Sequence, residues 1–175
     1  YKDDDVKIPY NLGLIYSLQG MHQLALKAYD LALNIQPNDA EVLINKGSTC
    51  NDIKNYILAL EILEKAIQIR PNIPEAWSNK GNVLNELKRY EEAIASYDKA
   101  ISLRPTGNHF FGNLLHTKMT IASWENFDQD VNYLVQKIQS GENVTLPFPP
   151  LSLIDEPALH LTATKTFVAK KFPEN

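Results

Sequence analysis

The sequence predicts an all-α protein in which helical hairpins of one kind stack side by side. Gly13, Gly47 and Gly81 lie at intervals of 34 residues. Two small residues and a proline follow each glycine at the same interval: Ala25, Ala59 and Ala93; Ala32, Ala66 and Ala100; Pro37, Pro71 and Pro105. Agreement at four positions over three segments predicts three copies of one structural unit, because a fixed period of this length is typical of stacked repeats.

Each copy is predicted to be a helix, a turn and a second helix. Glycine in a helix costs about 1 kcal/mol relative to alanine, so its recurrence predicts a close approach of the partner helix. Large residues on the second helix are expected to fill the space between units: Tyr29, Leu63 and Tyr97. Proline ends each second helix because it lacks an N–H group. The turns are expected near Gly20, Lys54 and Lys88, and side-chain caps of the next helix at Asn38, Asp39 and Asn72.

A helix-turn-helix period of 34 residues with this order of residues resembles the tetratricopeptide repeat (TPR). The predicted fold is a TPR superhelix, or α-solenoid. It has three regular repeats at 6–39, 40–73 and 74–107, and a degenerate fourth helix pair at 108–141. A proline-rich linker and a C-terminal helix occupy 142–175. Residues 1–5 look like part of an acidic epitope tag, and the alternative is the acidic end of a preceding repeat.

The fourth helix pair is predicted to depart from the regular geometry. Its helices are expected at 108–122 and 124–140, with Ser123 as N-cap and Gly141 as the C-terminal stop. Phe127 and Leu134 stand where the regular repeats have alanine, which predicts a splayed or rotated pair. Trp77 is expected in the core, and Trp124 is expected to anchor this pair. The last helix is predicted over 155–171.

Composition excludes several classes of function. The chain has 175 residues and a formal net charge of −4, without the block of basic residues that a nucleic-acid binder needs. No apolar run approaches the roughly 20 residues that cross a bilayer, and no secretory signal opens the chain. The single cysteine, Cys50, cannot form an intrachain disulfide and is expected in the core. These features predict a cytoplasmic protein.

The candidate binding site is a column of asparagines on the first helices, at Asn11, Asn45, Asn79 and Asn113. These residues lie exactly one period apart, so stacking is expected to align them. An amide side chain both donates and accepts hydrogen bonds, and can therefore hold the backbone of an extended polypeptide. The alternative is that each asparagine bonds the neighbouring helix and orients the stack.

Other chemistry finds little support in the sequence. The expected groove positions are neutral to acidic: Tyr10, Leu14, Ile44, Ser48, Asn51, Asp52, Ser78, Asn82, Asn85 and Glu86. Lys7 is the one cation expected there, which argues against a clamp for a peptide carboxylate. The four histidines, His22, His109, His116 and His160, have no metal-ligand spacing, and no catalytic motif is present. We expect no metal, no cofactor and no catalytic residue in this chain.

The segment after the repeats resembles the linker of bacterial-type O-linked N-acetylglucosamine transferases. The matching residues run from Gly112 to Met119, Trp124 to Phe127, Pro147 to Leu153 and Asp155 to Leu159. In that family TPR units lead into a two-lobed glycosyltransferase domain, and an asparagine ladder holds the acceptor polypeptide. The resemblance implies that ladder for Asn11, Asn45, Asn79 and Asn113.

The resemblance also implies what this chain lacks. The sugar-nucleotide site of the family follows the linker, so this fragment is expected to be silent while its parent transfers a sugar from UDP-N-acetylglucosamine (UDP-GlcNAc). Phe148, Leu151, Leu153 and the last helix are expected to dock the transferase domain, or else to pack on the fourth helix pair. The open alternative is a free-standing TPR scaffold for protein–protein interaction, and self-association is possible in either case.

Overall fold

The computed structural model describes residues 5–105, 110–142, 145 and 154–171, and all regular secondary structure in these ranges is α-helical. The helices are α1 (Lys7–Leu18), α2 (His22–Ile35), α3 (Ala40–Asp52), α4 (Tyr56–Ile69), α5 (Pro74–Glu86), α6 (Tyr90–Leu103), α7 (Phe110–Thr120), α8 (Phe127–Gln139) and α9 (Pro157–Lys171). None of the helices described has the length and apolar character needed to cross a bilayer. The chain divides into two compact units, Tyr1–Arg89 and Tyr90–Asn175.

In the first unit, the glycines admit the second helix of their own hairpin. A Cβ atom on Gly47 would lie 2.7 Å from Cγ of Leu63, and one on Gly13 would lie 2.6 Å from Cδ1 of Tyr29. The predicted close approach is therefore confirmed at Gly13 and Gly47. Tyr29 also packs with Val42 of the next repeat, so it fills the space between units as predicted.

The turns inside the hairpins share one geometry. Gly20, Lys54 and Lys88 have φ angles of 72°, 61° and 59°. The residue after each donates its N–H to a carbonyl one turn back in the first helix, as Asn55 does to Cys50 at 2.9 Å. The predicted turn positions are confirmed. Two of them carry lysine in a left-handed conformation that glycine adopts without steric penalty.

The connections between hairpins follow the prediction in part. Asp39 caps α3, since its carboxylate accepts from the N–H groups of Glu41 at 2.9 Å and Val42 at 3.2 Å. The predicted cap at Asn72 is wrong: α5 starts at Pro74, whose missing N–H leaves one donor fewer to satisfy. The predicted prolines stand just beyond the ends of α2, α4 and α6, as expected. Cys50 is fully buried, which confirms its place in the core. Trp77 is half-buried, which corrects its predicted place in the core.

The second unit corrects three predictions. Both helices of the fourth pair are shorter than expected within the described residues. Ser123 is not the N-cap of α8, because Asn126, at a φ of 58°, precedes that helix and the Ser123 N–H donates to Lys118 of α7. Trp124 is 56% exposed and contacts Phe127 in a T-shaped arrangement, so it does not anchor the pair. Gly141, at a φ of 76°, ends α8 as predicted.

The core of the second unit joins α7, α8 and α9. It consists of Leu115, Leu134, Ile138, Leu159 and Ala163. The last helix therefore packs on the fourth helix pair through Leu159 and Ala163. For this helix, packing on the fourth pair was the alternative to docking a transferase domain. Leu161 and Val168 of α9 stay exposed. Phe148, Leu151 and Leu153, predicted to dock a further domain, lie outside the described residues.

Candidate functional site

The predicted asparagine column is carried by first helices. Asn11 lies on α1, Asn45 on α3 and Asn79 on α5, and α3 packs against both α1 and α5. Equivalent positions therefore follow one another on neighbouring helices of the first unit. Asn11 is exposed, and Asn45 and Asn79 are half-buried. Asn113 lies on α7 of the second unit and is also half-buried.

Asn45 is held in a fixed orientation by two hydrogen bonds. Its Nδ2 donates to the Glu41 carbonyl at 3.0 Å and to the Tyr10 hydroxyl of α1 at 3.1 Å. A backbone carbonyl only accepts hydrogen bonds, so the atom that faces it must be the nitrogen. Both N–H donors of Asn45 are thus engaged, and Oδ1 remains as the acceptor of the side chain.

The other two asparagines of the first unit are less constrained. Within the described residues, neither Asn11 nor Asn79 makes a side-chain hydrogen bond. Each amide thus retains both its donors and its acceptor for a ligand. Asn113 has an interaction partner of its own.

Tyr10 was placed in the groove by the sequence, but its bond to Asn45 was not foreseen. Burial raises the pKa of Tyr10, and the nearby Glu41 carboxylate adds to the effect. The hydroxyl is therefore neutral at pH 7, and its own proton is free to donate when its oxygen accepts from Asn45. The only indication of this bond in the sequence is that Tyr10 and Asn45 lie 35 residues apart, one residue more than the repeat period.

The remaining predicted groove positions differ in exposure. Ile44 and Ser78 are buried, which corrects their assignment as groove-lining. Ile44 lies on α3, which packs against α1 and α5, and Ser78 lies on α5, which packs against α3 and α4. Asp52 and Glu86 are exposed, and Glu86 accepts from the Tyr56 hydroxyl at 3.1 Å. Partial desolvation by neighbouring atoms raises the pKa of Asp52 although its side chain is exposed, and the smaller effect of His22 opposes it.

Two lysines on the first helices are engaged in ion pairs with the preceding hairpin. Lys46 Nζ lies 2.6 Å from Asp30, and Lys80 Nζ lies 2.8 Å from Glu64, at equivalent positions of successive repeats. These charges therefore contribute little net positive potential. Across the described residues, no group of three or more His, Cys, Asp or Glu side chains is arranged to hold a metal ion. His160 contacts the Ile154 carbonyl at 2.6 Å.

Comparison with known proteins identifies the repeats. Two family models, both described as tetratricopeptide repeat, match residues 5–72 and 74–106, which together exceed half of the chain. No curated protein matches significantly. The chain is an all-α repeat protein of the scaffold class and belongs to the tetratricopeptide repeat family. Repeats of this family form protein-binding scaffolds.

Several solved structures share the fold. MamA from Desulfovibrio magneticus RS-1 has a TM-score of 0.72 at 23% identity, over 78% of this chain and 77% of that one. The first TPR of Spaghetti (RPAP3) bound to an HSP90 peptide has a TM-score of 0.66 at 20% identity, over 70% and 97%. An O-GlcNAc transferase mutant from Thermobaculum terrenum has a TM-score of 0.64 at 25% identity, over 67% of this chain and 23% of the transferase.

Proposed function

We propose that the first helices of the first unit hold an extended polypeptide through the amides of Asn11, Asn45 and Asn79, and that Asn113 binds polypeptide in the same way within the second unit. The observation that carries this proposal is the geometry of Asn45, whose donors are both engaged and whose Oδ1 is left to accept from a backbone N–H of the ligand. Recognition through the backbone tolerates many side chains. The HSP90 peptide bound to the first TPR of Spaghetti supports peptide binding by this fold.

We further propose that the parent protein is a glycosyltransferase of the O-GlcNAc transferase type. Its missing domain would dock in cis and take UDP-GlcNAc as donor, and this chain would present the acceptor polypeptide. The linker-like residues after the repeats support this assignment. The Thermobaculum terrenum transferase supports it as well, since 67% of this chain matches 23% of that protein.

The binding site is tested by changing Asn45 and Asn79 together to alanine. A labelled, unstructured peptide rich in Ser and Thr serves as the ligand, and fluorescence anisotropy measures its affinity. We expect at least a tenfold loss, which corresponds to about 1.4 kcal/mol. Asn34→Ala, an exposed asparagine on α2, is the matched control and should leave the affinity unchanged. An unchanged affinity with a lower melting temperature would show that the column is structural.

The linked activity is tested on the full-length gene product. It should transfer N-acetylglucosamine from UDP-GlcNAc to protein acceptors. The double asparagine variant should raise KM for the acceptor and leave donor hydrolysis unchanged. Failure of the full-length protein to bind UDP-GlcNAc would instead support a free-standing scaffold.

A further inference from the structure

The first helix of the chain exposes an apolar face. Ile8, Leu12 and Ile15 are spaced by four and three residues, so they lie on one side of α1; we call them the α1 face. Ile8 is 69% exposed and Ile15 is 51% exposed. Exposed side chains of this size occur singly on most proteins, but a continuous row on one helix indicates an interaction surface.

The same positions are covered in the next two repeats. Val42 and Thr49 of α3, which are equivalent to Ile8 and Ile15, are each 1% exposed, and their counterparts in α5, Ala76 and Val83, are fully buried. Val42 is covered by the second helix of the preceding hairpin, since it packs in one cluster with Ala25, Tyr29 and Ala32 of α2.

The start of α1 also resembles a junction between repeats. Asp5 accepts a hydrogen bond from the Lys7 N–H at 2.9 Å. Asp39, one period later, accepts from the Glu41 N–H at the same distance, in the connection between α2 and α3. The start of α1 therefore shares one hydrogen bond with the start of α3, which a second helix precedes, although α3 is capped by Asp39 itself and the N-cap of α1 is Val6.

We propose that a further tetratricopeptide hairpin lies before α1 in the polypeptide and covers the α1 face with its second helix, in the register that α2 uses on α3. The covering helix would pack on α1 as α2 packs on α3, so the same interface would occur once more, one repeat earlier.

The α1 face also predicts the chemistry of this helix. Lys46 and Lys80 stand at the position of Leu12 and pair with Asp30 and Glu64 of the preceding hairpin. Because Leu12 has no charge, the covering helix should carry an apolar residue in place of that acid. Its other contacts should be two small residues and one large one, as Ala25, Ala32 and Tyr29 are on α2.

The test extends the full chain by one hairpin. A second copy of residues 6–39 is inserted between Asp5 and Val6, so that a copy of α2 precedes the original α1. We expect the melting temperature to rise by about 5 °C or more and amide exchange in the original α1 to slow at least tenfold. An insert copied from residues 40–73 provides a second extended chain if the first does not fold.

The decisive comparison uses Ile15→Glu in the original and extended chains. It should leave the melting temperature of the original chain within about 1 °C and lower that of the extended chain by several degrees, since a buried charge is costly. Ile57→Glu, at an exposed position outside the α1 face, should act equally on both. Equal effects of Ile15→Glu, or no slowing of exchange with either insert, would overturn the proposal. So would a concentration-dependent dimer of the original chain that Ile15→Glu abolishes, because a second copy would then be the occupant.

Discussion

Asn45 and Tyr10 are joined by a hydrogen bond of 3.1 Å that connects α3 to α1. The bond gives one residue of the proposed binding column a part in holding neighbouring first helices together. The two interpretations of the column are therefore compatible at this position, because Nδ2 serves the stack while Oδ1 is left for a ligand. Experiments on the column must separate stability from affinity.

Removal of the Tyr10 hydroxyl should lower stability and leave peptide binding largely intact. Tyr10→Phe deletes the acceptor and leaves one N–H of Asn45 unpaired, which costs about 0.5–1.5 kcal/mol. Urea unfolding measures the change. Tyr16→Phe is a suitable control on the same helix, since Tyr16 is also half-buried. Equal effects of the two substitutions would mean that the bond contributes nothing to stability.

The left-handed turn at Lys54 should be improved by glycine. Its φ of 61° costs a residue with a Cβ atom about 1 kcal/mol, so Lys54→Gly is expected to raise the free energy of unfolding by about that amount. Lys27→Gly, in the exposed interior of α2, should lower it by about 1 kcal/mol. Denaturant midpoints of the two variants should therefore move in opposite directions. A loss of stability in Lys54→Gly would contradict the prediction.

The close approach at Gly47 should not tolerate a methyl group. Gly47→Ala brings a Cβ atom within 2.7 Å of Leu63 Cγ, and overpacking of this kind typically costs about 1–3 kcal/mol despite the better helix propensity of alanine. Leu63→Ala in the same chain opens the space again. The double variant should thus be more stable than the two single losses predict when added. Strict additivity would show that Gly47 and Leu63 are not in contact.

The sequence predicted the first unit well because its repeat period reports directly on backbone geometry. Glycine, alanine and proline each occur where the local packing or backbone geometry requires them, so their positions predicted the hairpins, the turns and the helix ends. Ile44 and Ser78 were misplaced because a helix position gives direction but not the depth to which neighbouring helices bury it. The bond from Asn45 to Tyr10 was missed because it crosses between repeats.

The second unit was harder to predict because its residues left the repeat pattern. Leu115 occupies the position that belongs to Gly13, Gly47 and Gly81, and it lies in the core with Leu134 and Ile138. Trp124 looked like an anchor by its size alone. Its exposure depends on where α8 begins, and the left-handed Asn126, rather than Ser123, precedes that helix.

Two carboxylates of the second unit should respond to pH in opposite ways. Partial desolvation raises the pKa of Asp98 above its ordinary value of 3.8 although the residue is exposed; Lys118 opposes this effect and the Asp130 carboxylate adds to it. The stability that its proton gives is complete below pH 3.8 and is lost as the pH rises through the raised pKa. Asp98→Asn should therefore be more stable than the parent chain at pH 7, and the gain should vanish on acidification.

Glu142 provides the opposite case. A hydrogen bond from Lys137 lowers the pKa of Glu142, so its contribution is present above the ordinary value of 4.5 and is lost as the pH falls through the lowered pKa. Glu142→Gln should be less stable than the parent at pH 7 and equal to it in acid. Thermal unfolding across this pH range measures both variants. If the melting temperature of a variant followed pH in parallel with that of the parent chain, the pKa shift of the substituted carboxylate would be refuted.

The last helix, α9, should be held on the fourth helix pair by its buried face, which includes Leu159. Leu159 is buried in the cluster with Leu115, Leu134 and Ile138, so Leu159→Ala should cost about 2–5 kcal/mol. Leu161 lies two residues away on the exposed side, and Leu161→Ala should change stability by less than about 0.5 kcal/mol. Hydrogen exchange along α9 shows whether the loss is local or spreads to α8. Similar small effects of both substitutions would mean that α9 is not held by the fourth helix pair.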